Sequence, residues 1–265
     1  MLTENTLYGE IDKVLLAVKR LQLNEPPEGY YVSFSGGKDS CVVLDLCKRA
    51  GVKYDAHFNV TTVDPPEVLR FVREHHPEVV FERPEMPMWQ TVAKKTILPT
   101  RIARYCCAVY KETGGKGRKV VTGIRSEESP RRAKRHLVEP CRNRDGKSFI
   151  HPIIDWSTED VWEYIHKYKI PYCTLYDEGF KRIGCVCCPL ASPKKKKREK
   201  ERWPQIYKNQ WERGERLAWE AREREGRRNF ASPEAAMEWW MSGKGRNEDQ
   251  EEISIFGVIG DESMT

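Results

Sequence analysis

The chain has 265 residues, enough to bury one substantial core and a small appendage. Hydrophobic residues make up 39% of it and charged residues 32%, and no apolar run approaches the length of a membrane span, which excludes a helical membrane protein. The formal charge of +6 is mild but uneven, with one basic block at 194–197 and another at Arg131, Arg132, Lys134 and Arg135. Residues 1–10 contain neither a basic leader nor an apolar stretch, so the expected location is the cytoplasm. Nine cysteines in a reducing compartment then read as ligands or redox groups rather than as a disulfide framework.

In chain order, Ile11, Val14, Leu15, Val18 and Leu21 recur at helical spacing and predict an amphipathic helix over 7–21, ended by Pro26-Pro27. Strand and helix signals then alternate. A strand is expected at 30–34, a helix at 40–49 and a second strand at 52–60. Asp64 is placed to cap the next helix, with Pro65 in its first turn. Further strands are expected at 79–81 and 119–122, the latter just before Gly123. Ser157 is placed to cap a helix that stops before Pro171. Such alternation predicts an α/β fold with a doubly wound, mostly parallel sheet, whose ligands sit at the carboxyl ends of the strands. The domain expectation is an N-terminal helix over 1–27, a nucleotide-binding domain with the cysteines over 28–190, a basic aromatic helical extension over 191–241 and a polar tail over 242–265.

The strand at 30–34 runs straight into Ser35-Gly36-Gly37-Lys38-Asp39-Ser40 and then into the helix. Two glycines let backbone approach an anion, amides at the helix N-terminus point at it, and Lys38 adds a mobile positive charge. The ligand class is therefore a nucleotide phosphate or pyrophosphate. The spacing is not that of the Walker loop, which has four residues between its first glycine and its Gly-Lys pair. It resembles instead the loop of the ATP pyrophosphatase, or adenine-nucleotide alpha-hydrolase, superfamily, in which ATP is cleaved between its alpha and beta phosphates.

Cys106-Cys107 is an adjacent pair, and Cys185 and Cys188 form a Cys-x-x-Cys around Val186 and Cys187. Four thiolates in two pairs can hold a [4Fe-4S] cluster or a tetrahedral zinc. Structural zinc takes ligand pairs separated by two to four residues, which an adjacent pair does not offer, so the cluster is the expectation, zinc the first alternative and buried thiols the second. Cys187 reads as a packed or free thiol between ligands.

Further motifs follow in order: Gly123-x-Arg125-x-x-Glu128-Ser129-x-x-Arg132, then His151-Pro152-Ile153-Ile154-Asp155-Trp156, then Leu175-Tyr176-Asp177-Glu178-Gly179-Phe180 leading to Ile183-Gly184-Cys185. Over roughly residues 28 to 190 this order resembles the phosphoadenosine phosphosulfate (PAPS) reductase family, and the cysteine pairs resemble its cluster-bearing adenylylsulfate reductase branch. The resemblance implies that Arg125 and Arg132 face phosphate or sulfate; the alternative is two arginines paired with Glu127 or Glu128. It implies a nucleotide-binding set of Ser33, Ser35, Gly36, Gly37, Lys38, Asp39, Ser40, Asp64, Gly123 and Arg125. Lys38, Asp39, Arg125 and Arg132 are the implied catalytic groups, Asp39 and Asp64 help to place Mg²⁺, and Cys106, Cys107, Cys185 and Cys188 hold the metal.

Sulfonucleotide reductases attack sulfur with a cysteine near their C-terminus, and no cysteine follows Cys188 here. The complete Ser-Gly-Gly-x-Asp-Ser loop favours ATP as the nucleotide. The combination resembles the ATP pyrophosphatases of DNA phosphorothioation systems, in which ATP adenylates an acceptor and sulfur from a donor such as a cysteine desulfurase follows. The alternatives are a sulfonucleotide reductase whose nucleophile comes from another protein, a nucleotide-binding subunit of an ATP sulfurylase, and a non-enzymatic nucleotide- or nucleic-acid-binding cluster protein.

After residue 192 the chain turns basic, with Trp203, Tyr207, Trp211 and Trp219 at helical spacing. Interleaved cations and aromatics suit a nucleic-acid groove, whereas one aromatic face on a helix suits packing; packing is the preferred reading. Nucleic acid and a second copy of the chain remain candidate partners, and a membrane does not.

Overall fold

The computed structural model describes residues 2–6, 9–141, 146–227 and 229–243. Of the polar tail expected over 242–265, positions 244–265 lie outside the described residues. The chain opens with strands β1 (Thr3–Thr6) and β2 (Gly9–Asp12), an antiparallel hairpin, and continues into helix α1 (Lys13–Leu23). The helix expected from residue 7 thus starts only at Lys13. Asp12 is extended and its carboxylate accepts the Val14 and Leu15 amides, a strong N-cap, while Gly9 heads β2 at a φ of +116° that suits glycine.

Next come β3 (Tyr30–Phe34), α2 (Lys38–Ala50), β4 (Tyr54–Asn59), α3 (Pro66–His75) and β5 (Val80–Glu82). Asp64 does not cap α3. Pro66 pushes Pro65 out of helical backbone, to a ψ of 135°, so the helix begins at Pro66 and leaves Asp64 outside it. There follow α4 (Met88–Lys95), α5 (Tyr105–Tyr110), β6 (Lys119–Val121), α6 (Pro130–Ala133), β7 (Val138–Pro140), β8 (Ser148–Ile150) and α7 (Thr158–Tyr168). Ser157 caps α7 as expected, exchanging hydrogen bonds with Asp160 in a capping box, and Lys169 ends the helix in left-handed conformation. The last elements are α8 (Pro193–Arg202), a turn at Pro204–Ile206 that passes through a π-helical stretch (Tyr207–Glu212) into α9 (Arg213–Arg224), and α10 (Pro233–Ser242). Among the described residues no helix is long and apolar enough to cross a membrane.

The chain divides into two compact units. The first comprises Met1–Val60, Asp64–Pro84 and Tyr110–Gly184, and contains every strand found among the described residues. Its six-stranded sheet has the order β5-β4-β3-β6-β8-β7, parallel throughout except for β7, which runs antiparallel to β8 at one edge. Pro140 ends that edge strand, a position where proline is tolerated. Strands β7 and β8 are three residues each and leave no periodic signal, which is why the sequence reading passes over them. From β3 the chain crosses through α2 to β4 on one side, while β6 pairs with the other side of β3, so the order reverses between β3 and β6. A parallel sheet opens a ligand crevice beyond the carboxyl ends of the strands at such a reversal.

Helix α2 packs into the core of this unit, with Cys41, Val42, Val43, Leu44, Leu46 and Cys47 all buried, and it meets α1 and α7. Arg20 of α1 forks onto both oxygens of Asp155 at 2.7 and 2.8 Å, and His151 is buried between Thr122 and Glu139. The His151-to-Asp155 motif is thus tied into the scaffold. The second unit comprises Thr61–Val63, Glu85–Val109 and Cys185–Thr265, and the regular elements among its described residues are helices.

Candidate nucleotide-binding site

The loop from Ser35 to Gly37 leaves β3 at the reversal and hands the chain to α2, whose first amides point out of the helix. Gly36 has a φ of +70°, and a Cβ there would lie 2.7 Å from Val68 and 3.1 Å from Val72 of α3, so this position admits only glycine. Gly37 is the N-cap of α2 and has no side chain to serve the exposed amides. Gly123, just past β6, faces the other side of the loop: a Cβ there would lie 2.9 Å from the carbonyl carbon and oxygen of Asp39. Glycine at 123 lets the ends of β6 and α2 meet.

Inside the loop the Ser40 hydroxyl donates to the Gly37 carbonyl at 2.7 Å, accepts from the Ser35 amide, and lies 3.3 Å from the Ser35 hydroxyl. Ser33 lies two residues earlier, in register with His57 of β4. The Lys38 amide donates to the Tyr176 hydroxyl at 2.9 Å. The Lys38 side chain is buried and its ammonium pairs with Asp39 at 2.8 Å. Asp39 in turn accepts from the guanidinium of Arg125 at 2.6 Å.

Arg125 is 3% exposed, and a charge at that depth needs a full set of partners. Besides Asp39 it reaches Glu127 at 3.0 Å, the Trp156 carbonyl at 3.3 Å and the Thr158 hydroxyl at 3.3 Å. Glu127 is held by the Thr158 amide at 2.6 Å. The result is a charge chain, Lys38–Asp39–Arg125–Glu127, running from the loop to the start of α7. Arg132 pairs with Glu128. Asp64 sits beyond the carboxyl end of β4, the neighbour of β3.

The cysteines lie in the second unit. Cys106 and Cys107 are on α5, while Cys185 and Cys188 span a turn in which the Cys188 amide donates to the Cys185 carbonyl. The thiol of Cys106 is pushed far up by its hydrogen bond with Cys107, by burial and by the charges of Cys107, Cys185 and Cys188, so the two cysteine pairs, distant in the chain, lie within electrostatic range of each other. Arg104 donates to the Cys107 sulfur at 3.4 Å, and the Cys185 thiol donates to Thr61 at 3.5 Å. Among the described residues no three of His, Cys, Asp or Glu are already arranged as a metal centre.

Cys187 is separate from this group. It has a φ of +54°, its thiol donates to the Lys196 carbonyl at 3.5 Å, and that thiol is buried and pushed up to about 12 by burial and by Glu199, with Cys188 adding to the shift. The Cys187 amide donates to Glu199 at 2.7 Å, the Val186 amide to the Val63 carbonyl at 2.8 Å and the Trp211 indole to the Val186 carbonyl at 3.0 Å. Buried Lys196 donates to the Trp240 carbonyl at 2.7 Å, and the rings of Trp211 and Trp240 lie 5.0 Å apart. Trp203, Tyr207 and Trp211 are thus buried residues, Trp211 bonded to the cysteine turn, which leaves none of the three free to stack on bases.

Residues 29–191, more than half of the chain, match the phosphoadenosine phosphosulfate reductase domain family. The chain belongs to that family. It is 33% identical over 191 residues to an uncharacterized protein of Methanocaldococcus jannaschii, covering 68% of this chain and 46% of that protein, so it spans less than half of that relative's length. It is 28% identical over 202 residues to an adenosine 5'-phosphosulfate reductase of Lysinibacillus sphaericus, covering 69% of this chain and 83% of the enzyme. A crystal structure of a PAPS reductase from Candida auris in complex with phosphate superposes with a TM-score of 0.51 at 20% identity, over 64% of this chain and 87% of the other, and shares the fold.

Within this PAPS reductase fold, the structure gathers Ser35, Gly36, Gly37, Lys38, Asp39, Ser40, Gly123 and Arg125 around one loop, and places Arg132 against Glu128. Sequence reasoning missed Tyr176 and Thr158 as partners of the site; Glu127 and Glu128 it named as the alternative partners of Arg125 and Arg132, and the structure pairs Arg125 with Glu127 and Arg132 with Glu128. Tyr176 stood inside a quoted motif, but nothing in its neighbours says that its hydroxyl meets an amide 138 residues away.

Proposed function

We propose that the chain cleaves ATP between its alpha and beta phosphates, adenylating an acceptor so that sulfur can replace the activated oxygen. The observation that carries this reading is the complete glycine loop at the sheet reversal, with outward amides and buried Lys38 at the start of α2. An acceptor oxygen attacks the alpha phosphorus, the bond to the bridging oxygen breaks, and pyrophosphate leaves with the electron pair. The α2 amides and Lys38 stabilise charge that develops on that leaving group, and Arg125 holds Asp39 in place. Asp39 and Asp64 are the carboxylates assigned to Mg²⁺. A reduced sulfur nucleophile from a donor protein then displaces AMP.

Cys106, Cys107, Cys185 and Cys188 fit a [4Fe-4S] cluster by donor type, and Cys106 lies within electrostatic range of the other three; such a cluster would supply an electron or sulfur-binding function. DNA is the acceptor favoured by resemblance. Incubation with ATP and Mg²⁺ should give AMP and pyrophosphate, and Lys38→Ala should weaken ATP binding about tenfold or more, the loss of one charge-assisted contact. Unchanged affinity and turnover in that variant would remove the loop from the mechanism. A second reading, a sulfonucleotide reductase with its nucleophile supplied by a partner, is favoured by the Lysinibacillus relative, which matches over 83% of its length. Sulfite release from adenylylsulfate with a thiol reductant would select it.

A further inference from the structure

The Lys38 amide opens α2, and no carbonyl of the helix can serve it. Among the described residues its one hydrogen-bond partner comes from the far end of the same unit: the Tyr176 hydroxyl, 2.9 Å away. A Cβ built on Gly37 would lie 3.5 Å from that hydroxyl and 3.5 Å from the Ser35 hydroxyl, which puts the Tyr176 oxygen in the mouth of the loop. The ring is held edge-on by Trp162, with centroids 5.3 Å apart, and lies 6.4 Å from Tyr172. Burial pushes the ionisation of Tyr176 well above its usual range, so a neutral oxygen rests where a phosphate oxygen is drawn by the helix N-terminus.

We propose that Tyr176 is the resident occupant of the phosphate loop: its hydroxyl serves the Lys38 amide while the loop is empty and is displaced from it by an oxygen of bound pyrophosphate. This rests on the reading of the loop as a nucleotide site. One N–H makes one good hydrogen bond, so hydroxyl and phosphate oxygen exclude each other. The consequence is selective. A ligand that needs the amide, such as ATP or pyrophosphate, must compete with Tyr176, whereas AMP, which has no beta phosphate, need not. After cleavage the returning hydroxyl takes the amide back from pyrophosphate and favours its release.

The test is calorimetric titration of the full chain and of Tyr176→Phe with magnesium pyrophosphate and, separately, with AMP. The Phe variant keeps the ring and loses the competitor, so pyrophosphate should bind about two- to tenfold tighter, matching the loss of one hydrogen bond, while AMP binding stays the same. Equal or weaker pyrophosphate binding in the variant overturns the assignment of Tyr176. Absence of pyrophosphate and ATP binding in both proteins instead overturns the nucleotide reading of the loop, and this proposal with it. Should the variant fail to fold, the parent labelled with ¹⁵N-lysine decides: the Lys38 amide resonance should move with pyrophosphate and stay with AMP, and an equal response to both refutes the displacement.

Discussion

His76 offers a test of how the wall of the loop is built. It follows α3 and is 5% exposed, with its ring 4.8 Å from that of Phe34 and 5.3 Å from that of Phe71, and neither ring nitrogen has a hydrogen-bond partner among the described residues. Burial lowers its pKa from 6.5 to about 4; Glu78 opposes the shift, and Lys48 and His75 add to it. Between those two values the unfolded chain holds a proton that the folded chain refuses, so stability is fully present above pH 6.5 and is lost as pH falls towards 4. At about 1.4 kcal/mol per pH unit the shift corresponds to about 3 kcal/mol in all, of which about 2 is gone by pH 5. The loss falls on the packing between Phe34, which precedes Ser35, and α3, whose Val68 and Val72 crowd Gly36.

Urea denaturation of the parent and of His76→Leu from pH 7.5 to 5 reads this directly. The variant keeps an apolar side chain and loses the titration, so the stability gap between the two proteins should shift by about 2 kcal/mol in favour of the variant across that range. His151, whose pKa burial also lowers, is common to both proteins and cancels. Burial would raise the Asp160 carboxyl, but Lys13 and the Ser157 amide hold it down to about 2, below this window. A gap that stays constant from pH 7.5 to 5 refutes the argument that His76 is buried neutral.

Gly123→Ala places a methyl 2.9 Å from the Asp39 carbonyl, which is backbone and must shift; a loss of about 1–3 kcal/mol in urea denaturation is expected, together with weaker pyrophosphate binding, and a parent-like midpoint would show that the two segments do not meet so closely. In protein made without oxygen, Cys106→Ser should lose bound iron and acid-labile sulfide while Cys187→Ser retains them, because the Cys187 thiol donates to the Lys196 carbonyl and is not among the sulfurs that act on Cys106. Stoichiometric zinc without sulfide in the parent, or equal iron loss in both variants, would count against the cluster.

What the sequence determined by itself is what neighbours in the chain decide among themselves. A strand, two glycines and a helix within about twenty residues specify an anion-binding turn through sterics and amide geometry alone, and the Ser157 box specifies the start of α7 through hydrogen bonds that span three residues. The alternating run from β3 to β5, and the strand β6, were legible for the same reason, while α4 and α5 between them were not. Only the tertiary structure decided the rest. The start of α1 was set by the Asp12 cap and the preceding hairpin, which override helical spacing at 7–12. Arg125 meets Asp39 across 86 residues and Tyr176 meets Lys38 across 138, and nothing local predicts partners brought together by the packing of a sheet and its crossovers. The aromatics after residue 202 show the limit most clearly. A basic, tryptophan-rich helix has the same pattern whether it stacks on bases or buries its face, and the burial of Trp203, Tyr207 and Trp211, the last bonded to the cysteine turn, decides for those three rings, because a ring already packed in a core has no face left to offer.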